Sequence, residues 1–98
     1  MDIENELNLE IHIKVQQRNG RKCWTFVEGL DKITPPPNTD INKFMEQITR
    51  TFKKGFNCAA TIQPGNIIQM SGDHRYKLKD YLINNKIVNE DQIKIHGY

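Results

Sequence analysis

Residues 7–28 read LNLEIHIKVQQRNGRKCWTFVE and predict the β-hairpin that decides the fold. Apolar residues occupy every second position from Leu7 to Val15, which is the pattern of a strand with one buried face. The pair Asn19-Gly20 suits a type I′ turn, because these residues tolerate positive φ at both central positions. A second apolar strand follows the turn directly, so the two strands are expected to pair.

A two-residue turn at this point would fix the register of the hairpin. It would set Val15 opposite Trp24. It would also set Ile13 opposite Phe26, so that all of these apolar side chains share the core face. The turn itself would expose three cations, which are Arg18, Arg21 and Lys22.

After the hairpin, three consecutive prolines at 35–37 predict a stiff connector, because proline fixes φ and has no amide donor. A helix is expected next, capped by Thr39 or Asp40 and ending at Gly55. Its predicted apolar stripe consists of Ile41, Met45, Ile48 and Phe52. One face of this helix should therefore pack on the sheet.

The second half of the chain predicts two short strands, a helix and a last strand. The strands at 58–63 and 66–70 flank the turn Pro64-Gly65. The helix starts at Gly72-Asp73, with Asp73 as its expected cap, and the strand lies in QIKIHGY. The order ββαββαβ predicts an α+β fold, a two-layer α/β sandwich with two helices packed on one five-stranded mixed sheet.

Length and composition exclude several classes of protein. A chain of 98 residues has room for one core, so a short acidic tail at 1–8 and a single domain at 9–98 are expected. No apolar run approaches the roughly 20 residues of a membrane span, and the acidic start lacks the features of a signal peptide. Cys23 and Cys58 lack metal-ligand spacing. The expectation is a cytoplasmic monomer with no metal, no cofactor and no membrane contact.

The charge is clustered although the net charge is only +2. Besides the hairpin tip, a second cluster of cations lies at the end of the first helix, namely Arg50, Lys53 and Lys54. Each cluster alone has a simple explanation, since cations are common in turns and favoured at helix C-termini. Together they favour an anionic partner. Because Trp24, Phe26 and Phe52 are predicted to lie in the core, folded RNA is favoured over single-stranded bases.

Enzymatic activity is not indicated by the sequence. His12, His74 and His96 have no nucleophile or acidic partner at a catalytic spacing, so surface or structural roles are expected. The remote alternative is a small phosphate-ester or acyl-phosphate hydrolase that uses Arg18 and Asn19. Turnover of an acyl phosphate would test it.

Five strings occur in an order that resembles the eukaryotic translation initiation factor 1 family: IHIKVQQRNGRK, VEGL, KKGFNCAATI, IIQMSGDHR and IKIHGY. The resemblance spans about residues 9 to 98. It implies an α/β sandwich that binds the small ribosomal subunit near the P site. It also implies that the protein promotes scanning and stringent start-codon selection by opposing initiator tRNA accommodation at wrong codons. Implied partners are ribosomal RNA, the nearby initiator tRNA complex, initiation factors three and five, and factor 1A.

The resemblance also assigns residues to two surfaces. The ribosomal RNA surface comprises Arg18, Asn19, Gly20, Arg21, Lys22, Arg50, Lys53 and Lys54. The surface for start-codon fidelity, which faces the tRNA, comprises Asp73, His74, Arg75 and Gly97. At Asp73 the implied effect is repulsion between a carboxylate and the tRNA phosphates.

Some positions depart from the family pattern. Glu46 and Gln47 replace residues that tend to be basic, and His74 replaces a glutamine with an ionisable side chain. The N-terminal tail is also shorter than is usual. These departures support an alternative, in which a diverged and for example viral member of the family alters start-site selection.

Overall fold

The structure, a computed structural model, describes residues 9–97. Five strands and two α-helices alternate in the predicted order ββαββαβ, with short 3₁₀ turns at Leu30–Lys32 and Glu90–Gln92. The elements are β1 (Ile11–Asn19), β2 (Lys22–Glu28), α1 (Ile41–Gly55), β3 (Ala60–Gln63), β4 (Ile67–Ser71), α2 (Arg75–Asn84) and β5 (Ile93–His96). The predicted acidic tail at 1–8 lies outside the described residues.

The strands form one mixed sheet in the order β3-β4-β2-β1-β5. Only the β1–β5 pair is parallel among the described strands, and the other neighbours are antiparallel. β2 occupies the middle of the sheet, because it pairs with β1 on one side and with β4 on the other. The predicted α/β sandwich is therefore confirmed.

Both helices pack on the same face of the sheet. Met45 and Phe52 of α1 and Leu78 and Leu82 of α2 are almost completely buried in one cluster with the inward side chains of the strands. Those inward side chains are Ile11, Ile13, Val27, Ile68, Met70 and Ile93. The opposite side of the sheet, called the helix-free face below, carries the alternate residues of each strand.

The start of α1 is capped by Asp40, which settles the choice between Thr39 and Asp40. The Asp40 carboxylate accepts a hydrogen bond from the Lys43 amide at 2.8 Å. The cap supplies an acceptor for an amide that has no partner within the helix. The helix ends at Gly55, as predicted.

The predicted register of the hairpin is wrong by one residue on β2. Gln17 pairs with Cys23 and Asn19 pairs with Lys22, which leaves Arg18 as an unpaired bulge. One extra residue on a strand changes which side chains share a face. Val15 therefore lies opposite Thr25, and Ile13 lies opposite Val27.

The placement of the two aromatic residues of β2 changes as a result. Trp24 and Phe26 were expected in the core, but they lie on the helix-free face and are only partly buried. Neither packs against the main cluster of core side chains. Thr25 and Val27 take the inward positions and are fully buried. Phe52 does lie in the core, as expected.

Candidate nucleic-acid interface

The tip of the β1–β2 hairpin presents three exposed cations, as the sequence predicts. Gly20 adopts a φ of 57° with open space around its missing side chain, and its carbonyl accepts a 2.6 Å hydrogen bond from the Gln17 side chain. Within residues 9–97, no carboxylate lies within ion-pair distance of Arg18, Arg21 or Lys22. Their charges are therefore not neutralised within that part of the chain.

A groove of about 710 Å³ runs beside this tip. The three cations form part of its lining, and the loop between β4 and α2 forms another part. The lining residues are Arg18, Arg21, Lys22, Cys23, Asn57, Cys58, Ser71, Gly72, Asp73 and His74. The groove therefore joins three of the eight residues of the predicted ribosomal RNA surface to two of the predicted tRNA-facing surface, Asp73 and His74. We call it the hairpin groove.

Thr25 holds the two sides of the hairpin groove together. Its buried hydroxyl donates to the Gly72 carbonyl at 2.6 Å and accepts from the His74 amide at 3.0 Å. The Gly72 amide donates to the Cys23 carbonyl at 2.9 Å. The loop that carries Asp73 is thus fixed to the central strand.

Asp73 forms a two-pronged ion pair with Arg75. The two contacts are Nε to Oδ1 at 3.0 Å and Nη2 to Oδ2 at 2.8 Å. These side-chain hydrogen bonds hold the pKa of the Asp73 carboxyl below its ordinary value. Asp73 is therefore ionised at neutral pH, and its charge is balanced by Arg75.

The prediction that Asp73 caps α2 is wrong. His74, not Asp73, is the cap residue, and its side chain makes no capping bond. The Asp73 carboxylate still accepts a bond from the Arg75 amide at 3.2 Å. The His74 amide donates to the Thr25 hydroxyl and not to Asp73, and helical geometry begins only at Arg75.

His74 is fixed in place by its neighbours. Its Nε2 lies 2.7 Å from the Ser71 carbonyl, so the proton must be on Nε2 for this bond to form. The ring packs at 5.6 Å from the ring of Phe56, and Nδ1 is buried without a hydrogen-bond partner among residues 9–97. This position supports a structural role in the loop.

The last predicted member of the tRNA-facing surface, Gly97, lies beside Arg75. A side chain added at Gly97 would contact Arg75 Nη1 at 3.8 Å, and that nitrogen lies 3.5 Å from the carbonyl of His96. Arg75 thus connects the Asp73 loop to the end of β5. The structure brings Asp73, Arg75 and Gly97 together around one guanidinium group.

The second basic cluster does not join the hairpin groove. Arg50 and Lys53 line a separate groove of about 490 Å³ between α1 and β3, together with Glu46. The exposed Lys54 lines neither groove. We call this second site the α1 groove.

Exposed guanidinium and ammonium groups at a groove of this kind can bind the phosphates of a nucleic acid. In the part of the chain from 9 to 97, no group of three or more His, Cys, Asp or Glu side chains is arranged to hold a metal ion. None of the helices described there is both long and apolar enough to cross a membrane. Burial raises the pKa of the Cys58 thiol, which favours its neutral form in the groove wall.

Comparison with known families decides the identity. The family model described as translation initiation factor SUI1 matches residues 8–88. The chain belongs to the SUI1 family. The resemblance seen in the sequence is therefore confirmed, and a role in translation initiation follows for this SUI1-family chain.

Named relatives of this SUI1 domain come from animals and plants. Eukaryotic translation initiation factor 1 of Mus musculus is 37% identical over 92 residues, which cover 90% of this chain and 74% of the relative. The human factor is 36% identical over the same coverage. The SUI1 homolog of Salix bakko is 38% identical, also covering 90% of this chain and 74% of that protein.

A solved structure supports the SUI1 fold independently. The C-terminal domain of human eIF2D superposes with a TM-score of 0.66 at 18% identity. The match covers 86% of this chain and 41% of that chain.

Sequence reasoning missed two features of this SUI1 domain. Thr25 was not recognised as the link between hairpin and loop, because the predicted register placed Trp24 and Phe26 in the core and Thr25 on the outward face. His12 and His96 stack at 5.3 Å between ring centroids, with Nδ1 of His12 3.0 Å from Nε2 of His96. Their polar strand positions were visible in the sequence, but the parallel β1–β5 pairing that joins them was not.

Proposed function

We propose that this SUI1-family protein binds the small ribosomal subunit near the P site. It promotes scanning and enforces start-codon selection by opposing accommodation of initiator tRNA at wrong codons. The observation that best supports the proposal is the hairpin groove, where Arg18, Arg21 and Lys22 carry charges with no carboxylate partner among residues 9–97. Initiation factors three and five and factor 1A are the expected protein partners.

Binding to ribosomal RNA would occur mainly through phosphates. Cations that bind phosphates release condensed counterions, so affinity falls as salt rises. Asn19 and Gly20 would shape the hairpin tip for close approach to the RNA backbone, since Gly20 has open space around it. Arg50, Lys53 and Lys54 would add a second contact from α1.

The binding test compares two double variants with the same loss of charge. Arg18→Ala with Arg21→Ala removes two cations of the hairpin groove, whereas Lys32→Ala with Lys43→Ala removes two exposed cations outside both grooves. Binding to purified small subunits is measured at several salt concentrations. The first variant should reduce the slope of log affinity against log salt by about 1.5, and the second should leave it nearly unchanged. Equal slopes for the two variants would contradict the proposal.

Start-codon fidelity would depend on the surface formed by Asp73, His74, Arg75 and Gly97. Asp73 balances Arg75, so the pair presents no net attraction to the phosphates of tRNA. Removing the carboxylate charge with Asp73→Asn would leave a net positive charge there. Initiator tRNA would then be attracted to the unbalanced charge of Arg75, and discrimination would relax.

A reconstituted initiation assay measures this effect as the ratio of initiation at UUG to initiation at AUG. Asp73→Asn should raise the ratio by up to about fivefold, since a contact between unit charges in water is worth about 1 kcal/mol. Asp80→Asn is the matched control, because it removes an exposed carboxylate of α2 outside the hairpin groove. The role of Asp73 is refuted if both variants behave like the wild type.

The alternative is a diverged family member that alters start-site selection, and one observation favours it. Glu46 lies in the α1 groove with Arg50 and Lys53, and it weakens the positive potential there. In the same assay, the wild-type protein would then lower discrimination between AUG and UUG when added to a complete system. An increase in discrimination would exclude this alternative.

A further inference from the structure

The bulge at Arg18 exposes a surface that borders the hairpin groove and shares Arg18, Lys22 and Ser71 with it. It places Lys22, Trp24 and Phe26 in a row on the helix-free face, at alternate positions of the central strand. Successive side chains on one face of a strand are about 6.6 Å apart. Two partly buried aromatic side chains therefore follow one another along the helix-free face, with a lysine at the hairpin end of the row.

Polar side chains flank this row on both neighbouring strands. Phe26 lies between Lys14 of β1 and Gln69 of β4. Trp24 lies between Gln16 of β1 and Ser71 of β4. The amide groups of Gln16 and Gln69 and the hydroxyl of Ser71, on the strands next to the rings, can form hydrogen bonds with the edges of a flat polar ligand that is stacked on the rings. A purely apolar partner would leave them without hydrogen bonds.

The charge around the row is uneven. At the hairpin end, the guanidinium group of Arg18 lies over the Trp24 ring, 4.7 Å from its centroid, and Lys22 is exposed. A base that stacks on this face of Trp24 must displace the guanidinium group, which then becomes available to a phosphate. At the other end, Glu28 forms a 2.6 Å ion pair with Lys14, and Glu10 lies 3.4 Å from His12. An anionic ligand would therefore be attracted to the half of the face next to the hairpin.

The row Lys22-Cys23-Trp24-Thr25-Phe26-Val27 resembles the central-strand signature of RNA-recognition-motif domains by analogy. That signature places a basic residue and two aromatic residues at alternate positions, followed by valine, and its rings stack on unpaired bases. The residues between the aromatics differ here, since Cys23 and Thr25 replace small residues and Gly29 replaces a third aromatic. Cys23 and Thr25 alternate with the exposed row, so the stacking surface itself is preserved.

We propose that the helix-free face binds a short stretch of unpaired RNA, with one base stacked on Trp24 and a neighbouring base on Phe26. Arg18 and Lys22 bind the phosphates that connect these bases to the hairpin tip. Gln16 and Gln69 form hydrogen bonds with the edges of the bases. The site adds a ligand to the proposed function, because the hairpin groove is assigned to folded ribosomal RNA whereas this face requires bases that are not paired.

The test uses Trp24 as its own reporter, since it is the single tryptophan of the chain. The full chain is titrated with octauridylate and with octaadenylate, and stacking is expected to quench the tryptophan fluorescence. Phe26→Ala keeps the reporter and should raise Kd by about five- to hundredfold. The matched control is Tyr76→Ala, which removes an aromatic ring that is 65% exposed on α2, and its Kd should stay within twofold of the wild type.

Two further measurements keep the proposal falsifiable. Circular dichroism verifies that each variant is folded, and Phe26→Leu replaces Phe26→Ala if the alanine variant is not. Trp24→Leu is measured through the anisotropy of fluorescein-labelled octauridylate, and it should weaken binding by at least fivefold. The proposal is overturned if folded variants at both aromatic positions bind as tightly as the wild type. It is also overturned if an RNA duplex of equal length binds as tightly as the unpaired strands.

Oligonucleotide binding and binding to ribosomal subunits are measured separately, so the two proposals can fail separately. Loss of oligonucleotide binding with normal subunit binding would refute only the stacking surface. Oligonucleotide binding without salt-dependent binding to subunits would support the stacking surface and refute the proposed ribosomal role.

Discussion

Thr25 is the single residue on which the geometry of the hairpin groove depends most. Its hydroxyl bonds the Gly72 carbonyl and the His74 amide from a fully buried position. Thr25→Val keeps the shape of the side chain but leaves both backbone groups without this partner. The free energy of unfolding should fall by about 1–3 kcal/mol, which urea denaturation can measure.

Thr49→Val provides the control for this prediction. Thr49 is also buried, but its hydroxyl donates to the Met45 carbonyl within α1, where the helix supplies its own main-chain bonds. The free energy of unfolding of Thr49→Val should fall by less than about 1 kcal/mol. Equal losses for the two threonines would show that Thr25 has no special role in holding the loop.

The Asp73–Arg75 pair predicts a pH dependence of stability. Hydrogen bonds from Arg75 lower the pKa of Asp73 in the folded state, so the pair stabilises the protein above the ordinary carboxyl pKa of about 3.9. This contribution is lost as the pH falls through the lowered pKa of the folded state. Asp73→Asn should therefore reduce the free energy of unfolding at pH 7 by up to about 1 kcal/mol, since the Asp73 side chain is 35% exposed and solvent screens the pair.

Urea unfolding of the wild type and the variant from neutral to acid pH measures this dependence. The difference in free energy of unfolding between the wild type and Asp73→Asn should become steadily smaller below about pH 4. A gap that stays constant over the whole range would show that the ion pair does not stabilise the fold.

At the level of elements, the hairpin shows how much the sequence could predict. The alternation up to Val15 predicted both strands correctly. The turn was expected at Asn19-Gly20, but it lies one residue later at Gly20-Arg21, because Asn19 still pairs with Lys22. The inward face of β2 was predicted wrongly, because the segment KCWTFVE has apolar residues at both its odd and its even positions. Only the pairing of β1 with β2 next to the turn decides whether the odd or the even positions face the core. The bulge at Arg18 changes that pairing.

The assembly of the site depends on strand order, which local patterns do not contain. The hairpin cations and the Asp73 loop meet because β2 pairs with β4, and the paired residues are 41 to 47 positions apart in the chain. The types of these residues were visible in the sequence, but their proximity was inferred only through the resemblance to a family. The separation of Arg50 and Lys53 from the hairpin was not visible at all.

The N-terminal cap of α1 also gives a testable prediction about a single element of secondary structure. Asp40→Ala removes the acceptor for the Lys43 amide and should lower the free energy of unfolding by about 1 kcal/mol. Thr39→Ala is the control and should cost less than about 0.5 kcal/mol, because Thr39 is not the capping residue. Thermal or urea denaturation distinguishes the two variants. A larger loss for Thr39→Ala would reassign the cap.

For the whole molecule, the arrangement of charge matters more than its sum. One side of the sheet is covered by the two helices, and the hairpin tip extends from the central strands. The hairpin groove and the α1 groove share no lining residue. A rigid body with two separate basic sites can bind one large RNA surface at two points, which fixes its orientation as well as its affinity.

Simultaneous contact predicts that the two basic sites contribute additively to binding. Arg18→Ala with Arg21→Ala removes two cations of one groove, and Arg50→Ala with Lys53→Ala removes two of the other. If both grooves contact ribosomal RNA in the same complex, the losses in binding free energy should sum to within about 0.5 kcal/mol in the fourfold variant, because sites without shared partners behave independently. The measurement is the Kd for purified small subunits at one fixed salt concentration. If the grooves are alternative contacts, the fourfold variant will lose much more affinity than this sum, since each single-site variant can still bind through the other groove.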